Sequence, residues 1–230
     1  MAYKYVFDAE TCLYKNVCPL YKKDFCNPSC PRYMEMDYLT AHSNIPVNRQ
    51  QSMFLTPDIE DRPAFIELKE IKDDILNFVN NGENLYIYSK NLGNGKTTWA
   101  IKLMMNYFNL IWAGNGFRVR GIFINVPTFL TKIKTIISNP DPEFDKMRDL
   151  IADVDLVIWD DIAATKLSEF DYNNLLTYID QRVLSGKSNI YTGNMGENEL
   201  VDALGGRLMS RVWNLSIPIC FKGSDKRGIR

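Results

Sequence analysis

At 230 residues, with 46% hydrophobic and 12% aromatic side chains, the chain reads as one substantial folded domain plus a small appendage. A formal charge of -1 excludes a globally basic nucleic-acid binder, so any such contact would be a local patch. No apolar run approaches the roughly 18–20 residues that span a bilayer, and Asp8 and Glu10 precede any apolar stretch, so the N-terminus does not read as a signal peptide and a cytoplasmic protein is predicted.

The chain opens with Cys12, Cys18, Cys26 and Cys30 in the pattern C-x5-C-x7-C-x3-C, while Cys220 stands apart. In a reducing compartment, four thiols so close together predict a tetrahedral Zn2+ site that stabilises residues 1–36, a module too small for its own core. Iron–sulfur ligation and unliganded thiols are the alternatives. His42, the one histidine, is either a substitute ligand or a polar loop residue. Residues 37–64, with Pro46, Pro57 and Pro63, read as a connector with little regular structure.

Residues 65–230 alternate helices and strands. Phe65, Leu68, Ile71, Ile75, Leu76, Phe78 and Val79 recur at helical spacing and stop at Asn80-Asn81-Gly82. Strands are predicted at 85–89, 117–126, 155–159, 188–192 and 215–221. Helices are predicted at 96–108, 128–138 (apolar side Phe129, Leu130, Ile133, Ile136, Ile137), 169–184 and 197–212. Five strands alternating with helices predict an α/β fold, a parallel sheet covered on both faces.

Between the first strand and its helix lies Ser89-Lys90-Asn91-Leu92-Gly93-Asn94-Gly95-Lys96-Thr97-Thr98. A Gly-Lys-Thr string after a strand and opening a helix is a phosphate-binding P-loop. Gly93 and Gly95 let the backbone curl so that N–H groups around Asn94 converge on phosphate oxygens. Lys96 would reach the β- and γ-phosphates of ATP, Thr97 would help hold Mg2+, and Thr98 continues the first helical turn. Lys90 stands where the motif has its first glycine. A second Gly186-Lys187-Ser188 precedes a strand rather than a helix and reads as a turn.

The third strand ends in Asp160-Asp161, at the edge where a parallel sheet binds its ligand. Asp160 is placed to hold Mg2+ and Asp161 to orient or deprotonate the attacking water. Asp161 is one methylene shorter than the glutamate many related ATPases have there, which bears on hydrolysis more than on binding. A helix-capping Asp pair is the plainer reading. The fourth strand ends Tyr191-Thr192-Gly193-Asn194, and Asn194 can sense the γ-phosphate or the lytic water.

These motifs, with Ile179-Asp180-Gln181-Arg182 and Gly205-Gly206-Arg207-Leu208-Met209-Ser210-Arg211, follow in an order that resembles the AAA+ ATPases of the DnaC/DnaI helicase-loader group, including phage versions and IstB-type relatives. The resemblance runs from Ser43 to Phe221, and Ser43-Asn44-Ile45-Pro46 looks like the family's entry to the ATPase core. It implies an ATPase without a C-terminal helical lid, acting as a homo-oligomer on a DnaB-type hexameric replicative helicase and single-stranded DNA. By motif position Arg211, with Arg207 the alternative, would reach a neighbour's ATP. Single-stranded DNA would meet the 128–138 helix at Lys132 or Lys134 with Phe129 as a stacking platform, while the basic tail Lys222, Lys226, Arg227, Arg230 is ambiguous. Residues 1–36 would dock the helicase. Competing readings are an IstB-like ATPase delivering a transposase, a P-loop phosphotransferase, and a non-hydrolysing adaptor.

Overall fold

The computed structural model describes residues 5–12, 14–16, 18–49, 57–111, 117–136, 138–164 and 166–226; Ile137, Arg227 and Arg230 of the sequence reading lie outside them. Strands β1 (Asn84–Tyr88), β2 (Gly121–Asn125), β3 (Leu156–Asp160), β4 (Ser188–Gly193) and β5 (Ser216–Cys220) form one sheet in the order β2-β3-β4-β1-β5. Every pairing is parallel, as the alternation predicts. The register sets Tyr88 beside Gly193 and Cys220, and Asn125 beside Asp160. The chain therefore leaves every strand at one common edge, where a parallel sheet offers its ligand crevice.

Side chains alternate across the sheet, and each set meets its own layer of helices. Leu85, Ile87, Ile158 and Ile190 pack beneath α1 (Pro31–His42), α2 (Arg62–Asp73), α3 (Ile75–Asn80) and α4 (Lys96–Leu110). Tyr86, Val157, Trp159 and Tyr191 pack beneath α5 (Val126–Ile136), α6 (Pro142–Asp153), α7 (Glu169–Leu184) and α8 (Glu197–Met209). Burial of β3 on both faces explains its unbroken apolar run.

Four elements depart from the sequence reading. The expected module boundary at residue 36 falls inside α1: Pro31 opens that helix, and Tyr33, Met36 and Leu39 line up on one buried face. Helix α6 has no counterpart among the predicted elements, although Asp141 caps it by accepting from the N–H groups of Glu143 and Phe144. The helix expected to end at Gly82 kinks at Asp74 (φ -111°, ψ 25°) into α2 and α3. Helix α8 kinks at Gly205 (φ 71°, ψ 158°) and gives way to a wider turn over Ser210–Asn214. Among the described residues no helix is long and apolar enough to cross a membrane.

At the opposite edge, Arg182 of α7 is fully buried. Its guanidinium donates to the carbonyls of Ile151 (2.6 Å), Val154 (2.9 Å), Asp155 (3.3 Å) and Ser188 (2.6 Å), and to Asn189 Oδ1 (2.7 Å). This one side chain ties the ends of α6 and α7 to the starts of β3 and β4.

Candidate nucleotide site

The loop between β1 and α4 is organised by the Ser89 hydroxyl, which accepts from Asn91 N (3.0 Å) and from Asn94 Nδ2 (2.6 Å). Asn94 is completely buried, so this amide pins the loop from inside. Gly93 (φ 70°) and Gly95 (φ 103°) occupy the left-handed region that only glycine enters without strain. The N–H groups of Lys96, Thr97 and Thr98 open α4 without helical acceptors, which makes the loop electropositive and suited to an anion. Lys96 lies over this loop, its Nζ donating to Asn91 O (3.0 Å) and, more weakly, to Asn94 Oδ1 (3.4 Å).

Lys90 has its explanation here. Its backbone is not among the positive-φ residues, so the entry turn needs no glycine. Its side chain turns to Glu199 of α8 at 2.9 Å. Glu199 in turn accepts from Gly196 N (3.1 Å), joining the loop entry to the start of α8. Gly186-Lys187-Ser188 forms the turn between α7 and β4, as expected.

Across the crevice, Thr97 Oγ1 donates to Asp160 Oδ1 at 2.7 Å. Thr192 Oγ1 donates to the same oxygen at 2.7 Å, and Asn125 Nδ2 approaches Oδ2 at 3.5 Å. The hydroxyl and carboxylate assigned to Mg2+ thus meet on one side of the loop, and both are oxygen donors suited to that ion. Asp161 follows in the left-handed region (φ 59°) and is half-buried. Asn194 is half-buried just beyond β4. Gly193 before it admits no side chain, since a Cβ would lie 2.4 Å from the Tyr86 hydroxyl. Sequence reasoning missed Asn125, whose signal is a lone polar residue ending the strand Ile122-Phe123-Ile124.

The segment after β5 runs back over the loop. Asn91 Nδ2 donates to Lys222 O (2.8 Å) and Gly223 O (3.0 Å), and Lys226 N donates to Gly93 O (3.0 Å). The Asp225 carboxylate fills the space a side chain at Gly93 would need. Asp61, fully buried, accepts from Lys222 N (2.7 Å) and Gly223 N (3.0 Å). Asp58 accepts from Ser224 N (2.8 Å), which with Lys226 holds its carboxyl below the usual range. Lys222 and Lys226, read as an ambiguous basic tail, belong to this clasp.

Arg207 and Arg211 share one carboxylate. Asp180 of α7 accepts from Arg211 Nε at 2.6 Å and from Arg207 Nη2 at 2.7 Å. The bond from Arg211, then the charges of both arginines, hold the Asp180 carboxyl below its ordinary value.

Burial corrects one of the predicted DNA contacts. Phe129 is 3% exposed, packed against Phe144, Trp159 and Tyr178, so its ring offers no face to a base. Lys134 pairs with Asp171 at 2.8 Å, at the capping box that opens α7. Lys132 is half exposed, 3.9 Å from Asp141. It borders an open groove of about 870 Å³ that also involves His42, Asn44, Asn125, Thr128 and Lys146. The Ser43–Pro46 stretch forms one wall: Ser43 O accepts from Phe123 N (2.7 Å), and Asn44 Nδ2 donates to Phe123 O (2.8 Å).

The cysteine module is a run of tight turns tied to α1 through Tyr33, whose hydroxyl meets Asp8 N (3.0 Å), Thr11 Oγ1 (3.1 Å) and Val6 O (3.2 Å). All four cysteines are half-buried free thiols. Burial raises the Cys12 thiol pKa against a backbone bond at Tyr14, with smaller contributions from Cys30, Cys18 and Cys26. Among the described residues no three Cys, His, Asp or Glu side chains are arranged to hold a metal ion. His42 Nδ1 bonds the Tyr38 carbonyl of its own helix at 2.8 Å.

No family model matches the sequence, and no curated protein matches it either. Solved structures do match. The crystal structure of DnaI is 19% identical, with a TM-score of 0.62 over 77% of this chain and 95% of that one. The crystal structure of the DnaC helicase loader is 17% identical, with a TM-score of 0.61 over 75% of this chain and 96% of that one. The replication initiator DnaA bound to AMPPCP and single-stranded DNA is 19% identical, with a TM-score of 0.58 over 74% of this chain; this chain spans 49% of it, about half its length. The chain therefore has the AAA+ P-loop fold, in the form taken by the DnaC and DnaI structures.

Proposed function

We propose that this chain is an ATPase that loads a DnaB-type hexameric replicative helicase onto single-stranded DNA, working as a homo-oligomer with ATP at its subunit junctions. One observation carries the reading: Thr97 and Asp160 meet at 2.7 Å beside a P-loop, in a chain whose fold spans nearly the whole of the DnaI and DnaC structures. The N–H groups of Gly93–Thr98 and the Lys96 ammonium would cradle the triphosphate, Lys96 exchanging its bonds to Asn91 and Asn94 for phosphate oxygens. Mg2+, when bound, would neutralise phosphate charge, and Thr97 and Asp160 are the groups to hold it. Asp161 would orient the attacking water, and Asn194 would read the γ-phosphate from the tip of β4.

The arginine that completes a neighbour's site comes from the pair on Asp180. One carboxylate cannot neutralise two guanidinium groups, so a positive charge is left over. The Arg207 side chain is 64% exposed and that of Arg211 28%, which supports Arg207 as the reaching group and Arg211 as its anchor, the reverse of the sequence-based order. Lys132, at the groove beside α5, and the half-exposed Lys134 are the remaining candidates for DNA. Zinc at the four thiols rests on their spacing in the sequence alone; about one zinc per chain by metal analysis would establish it, and none would leave the thiols unliganded.

The test is capture of purified hexameric helicase with and without ATP, together with phosphate release in the presence of helicase and single-stranded DNA. ATP-dependent capture and stimulated hydrolysis are expected, both lost in Lys96→Ala. Hydrolysis indifferent to helicase and DNA, with a transposase captured instead, would refute the reading.

A further inference from the structure

Thr192 is fully buried on β4, next to the strand that carries the two acidic residues. Its hydroxyl has one proton to give and lone pairs to offer, and the neighbouring strand uses both. The proton goes to Asp160 Oδ1 at 2.7 Å, while the oxygen accepts from the backbone N–H of Asp161 at 3.0 Å. The Thr192 carbonyl accepts from Ile162 N at 3.0 Å, so the last residue of β3 and the two that follow it are tied to this one threonine. The tie falls where it is needed. Asp161 is a non-glycine residue in the left-handed region (φ 59°), a conformation that persists only when its surroundings enforce it. Asp160 Oδ1 also accepts from Thr97 Oγ1 at 2.7 Å, so two threonine hydroxyls fix one carboxylate oxygen.

We propose that Thr192 is a positioning residue of the ATPase site: it sets the direction of the Asp160 carboxylate toward the Mg2+ position and holds the left-handed turn that aims Asp161 at the attacking water. The inference rests on the ATPase reading above and adds to it a residue that touches neither nucleotide nor water. A hydroxyl is required for a definite reason. Valine matches its shape but can neither donate to Asp160 nor accept from Asp161 N, whereas serine retains both bonds.

The experiment compares Thr192→Val with Thr192→Ser, each first checked for a cooperative melt. A fluorescent ATP analogue is titrated in EDTA and in Mg2+, and hydrolysis is then measured. The serine protein should behave as the parent in every assay. The valine protein should bind the analogue normally in EDTA, lose most of the gain that Mg2+ gives, and fall about tenfold or more in kcat, the size of effect seen when the groups orienting a metal ligand are removed. A valine protein that keeps the Mg2+ gain overturns the proposal. So does a serine protein as impaired as valine, because packing would then be the cause. If Thr192→Val fails to melt cooperatively, Thr192→Cys, with a weakly bonding thiol in the serine shape, takes its place and should fall below Thr192→Ser in the same two assays; equality between them overturns the proposal. Lys96→Ala separates the two levels: unchanged analogue binding there would sink the ATPase reading itself, whereas its loss beside a silent Thr192→Val removes only the positioning role.

Discussion

Replacing Arg182 by methionine should cost this fold about 3–5 kcal/mol, most of the margin of a domain whose whole stability is on the order of 5–15 kcal/mol. The side chain is fully buried and makes five hydrogen bonds. Methionine fills similar space and supplies none of them. The Ile151 and Val154 carbonyls lie at the end of α6, where no further helical N–H can reach them. Each stranded buried carbonyl costs about 1–3 kcal/mol. The Asp155 carbonyl retains its bond from Ser188 N, and Asn189 Oδ1 keeps the Trp159 Nε1 donor, so those losses are smaller. Acting in the other direction, burial disfavours the guanidinium charge and pulls its pKa down to about 10, a strain that an apolar replacement relieves. Urea unfolding followed by tryptophan fluorescence would read the difference as a midpoint lowered by roughly 1–2 M at an unchanged slope. A methionine protein within about 1 kcal/mol of the parent would refute the reasoning, since burying the cation would then cost as much as its bonds return.

Gly93→Ala should abolish nucleotide binding while leaving a folded protein, because the new Cβ meets Asp225 and a left-handed backbone at once; isothermal titration with ATP and a melting curve check both halves. Lys90→Gly should leave ATP affinity within about twofold of the parent and stability within about 0.5 kcal/mol, since its pair with Glu199 is exposed on both sides; a large loss would mean that Lys90 serves the phosphates. Acid should expose the role of Asp155. Burial alone would raise its pKa, but the bonds from Arg120 and from the Tyr107 hydroxyl (2.9 Å) outweigh that and hold it below its ordinary value. Its contribution, about 2 kcal/mol, is therefore present above pH ~4 and lost as the pH falls through the lower folded value. Asp155→Asn should be less stable than the parent at pH 7, with the gap closing as the pH falls through the lowered folded value, in urea midpoints taken across the acid range.

Where the sequence reading succeeded, the information was local. Ser89–Thr98 carries its own geometry in Gly93, Gly95 and the helix that follows, and β3 announces burial on both faces by its unbroken apolar run. Helix 169–184 was legible to the residue because Ser168 and Asp171 form a capping box that opens it. Where the reading failed, two proline-led helix starts were missed. Pro31 and Pro142 each sit in the first turn of a helix, where the missing N–H costs nothing. Phe129 went wrong differently. Its spacing with Leu130 and Ile133 already placed it on the buried stripe of α5, and the family resemblance pulled it toward DNA. The partners of Lys90, Arg211 and Thr192 were not legible at all. Each lies on another element: the loop after β1 meets the start of α8 for Lys90, α7 meets the turn after α8 for Arg211, and the register of β3 against β4 places Thr192.

The contacts around the P-loop divide into two kinds, and the division says where the site can yield. On the Asp160 side, Thr97, Thr192 and the Asp161 backbone are joined across strands, with Thr192 fully buried and Asp160 5% exposed. Breaking any of these leaves a polar group stranded away from water, so this side is stiff. On the outer side, the loop meets Glu199 through an exposed ion pair, and it meets the tail through the exposed amide of Asn91 and the Lys226 N–H. Water can replace those partners at little cost. Lys96 and Asn91 are linked by a hydrogen bond, so a phosphate that draws Lys96 away also disturbs the residue that holds the tail. Asp225, lying against Gly93, puts a negative charge beside that same loop. An incoming polyanion therefore meets a fixed Asp160 wall and an adjustable outer wall, and rearrangement follows the weaker bonds: the tail beyond Gly223, where the bonds to buried Asp61 end, and the start of α8 move before β3 and β4 do.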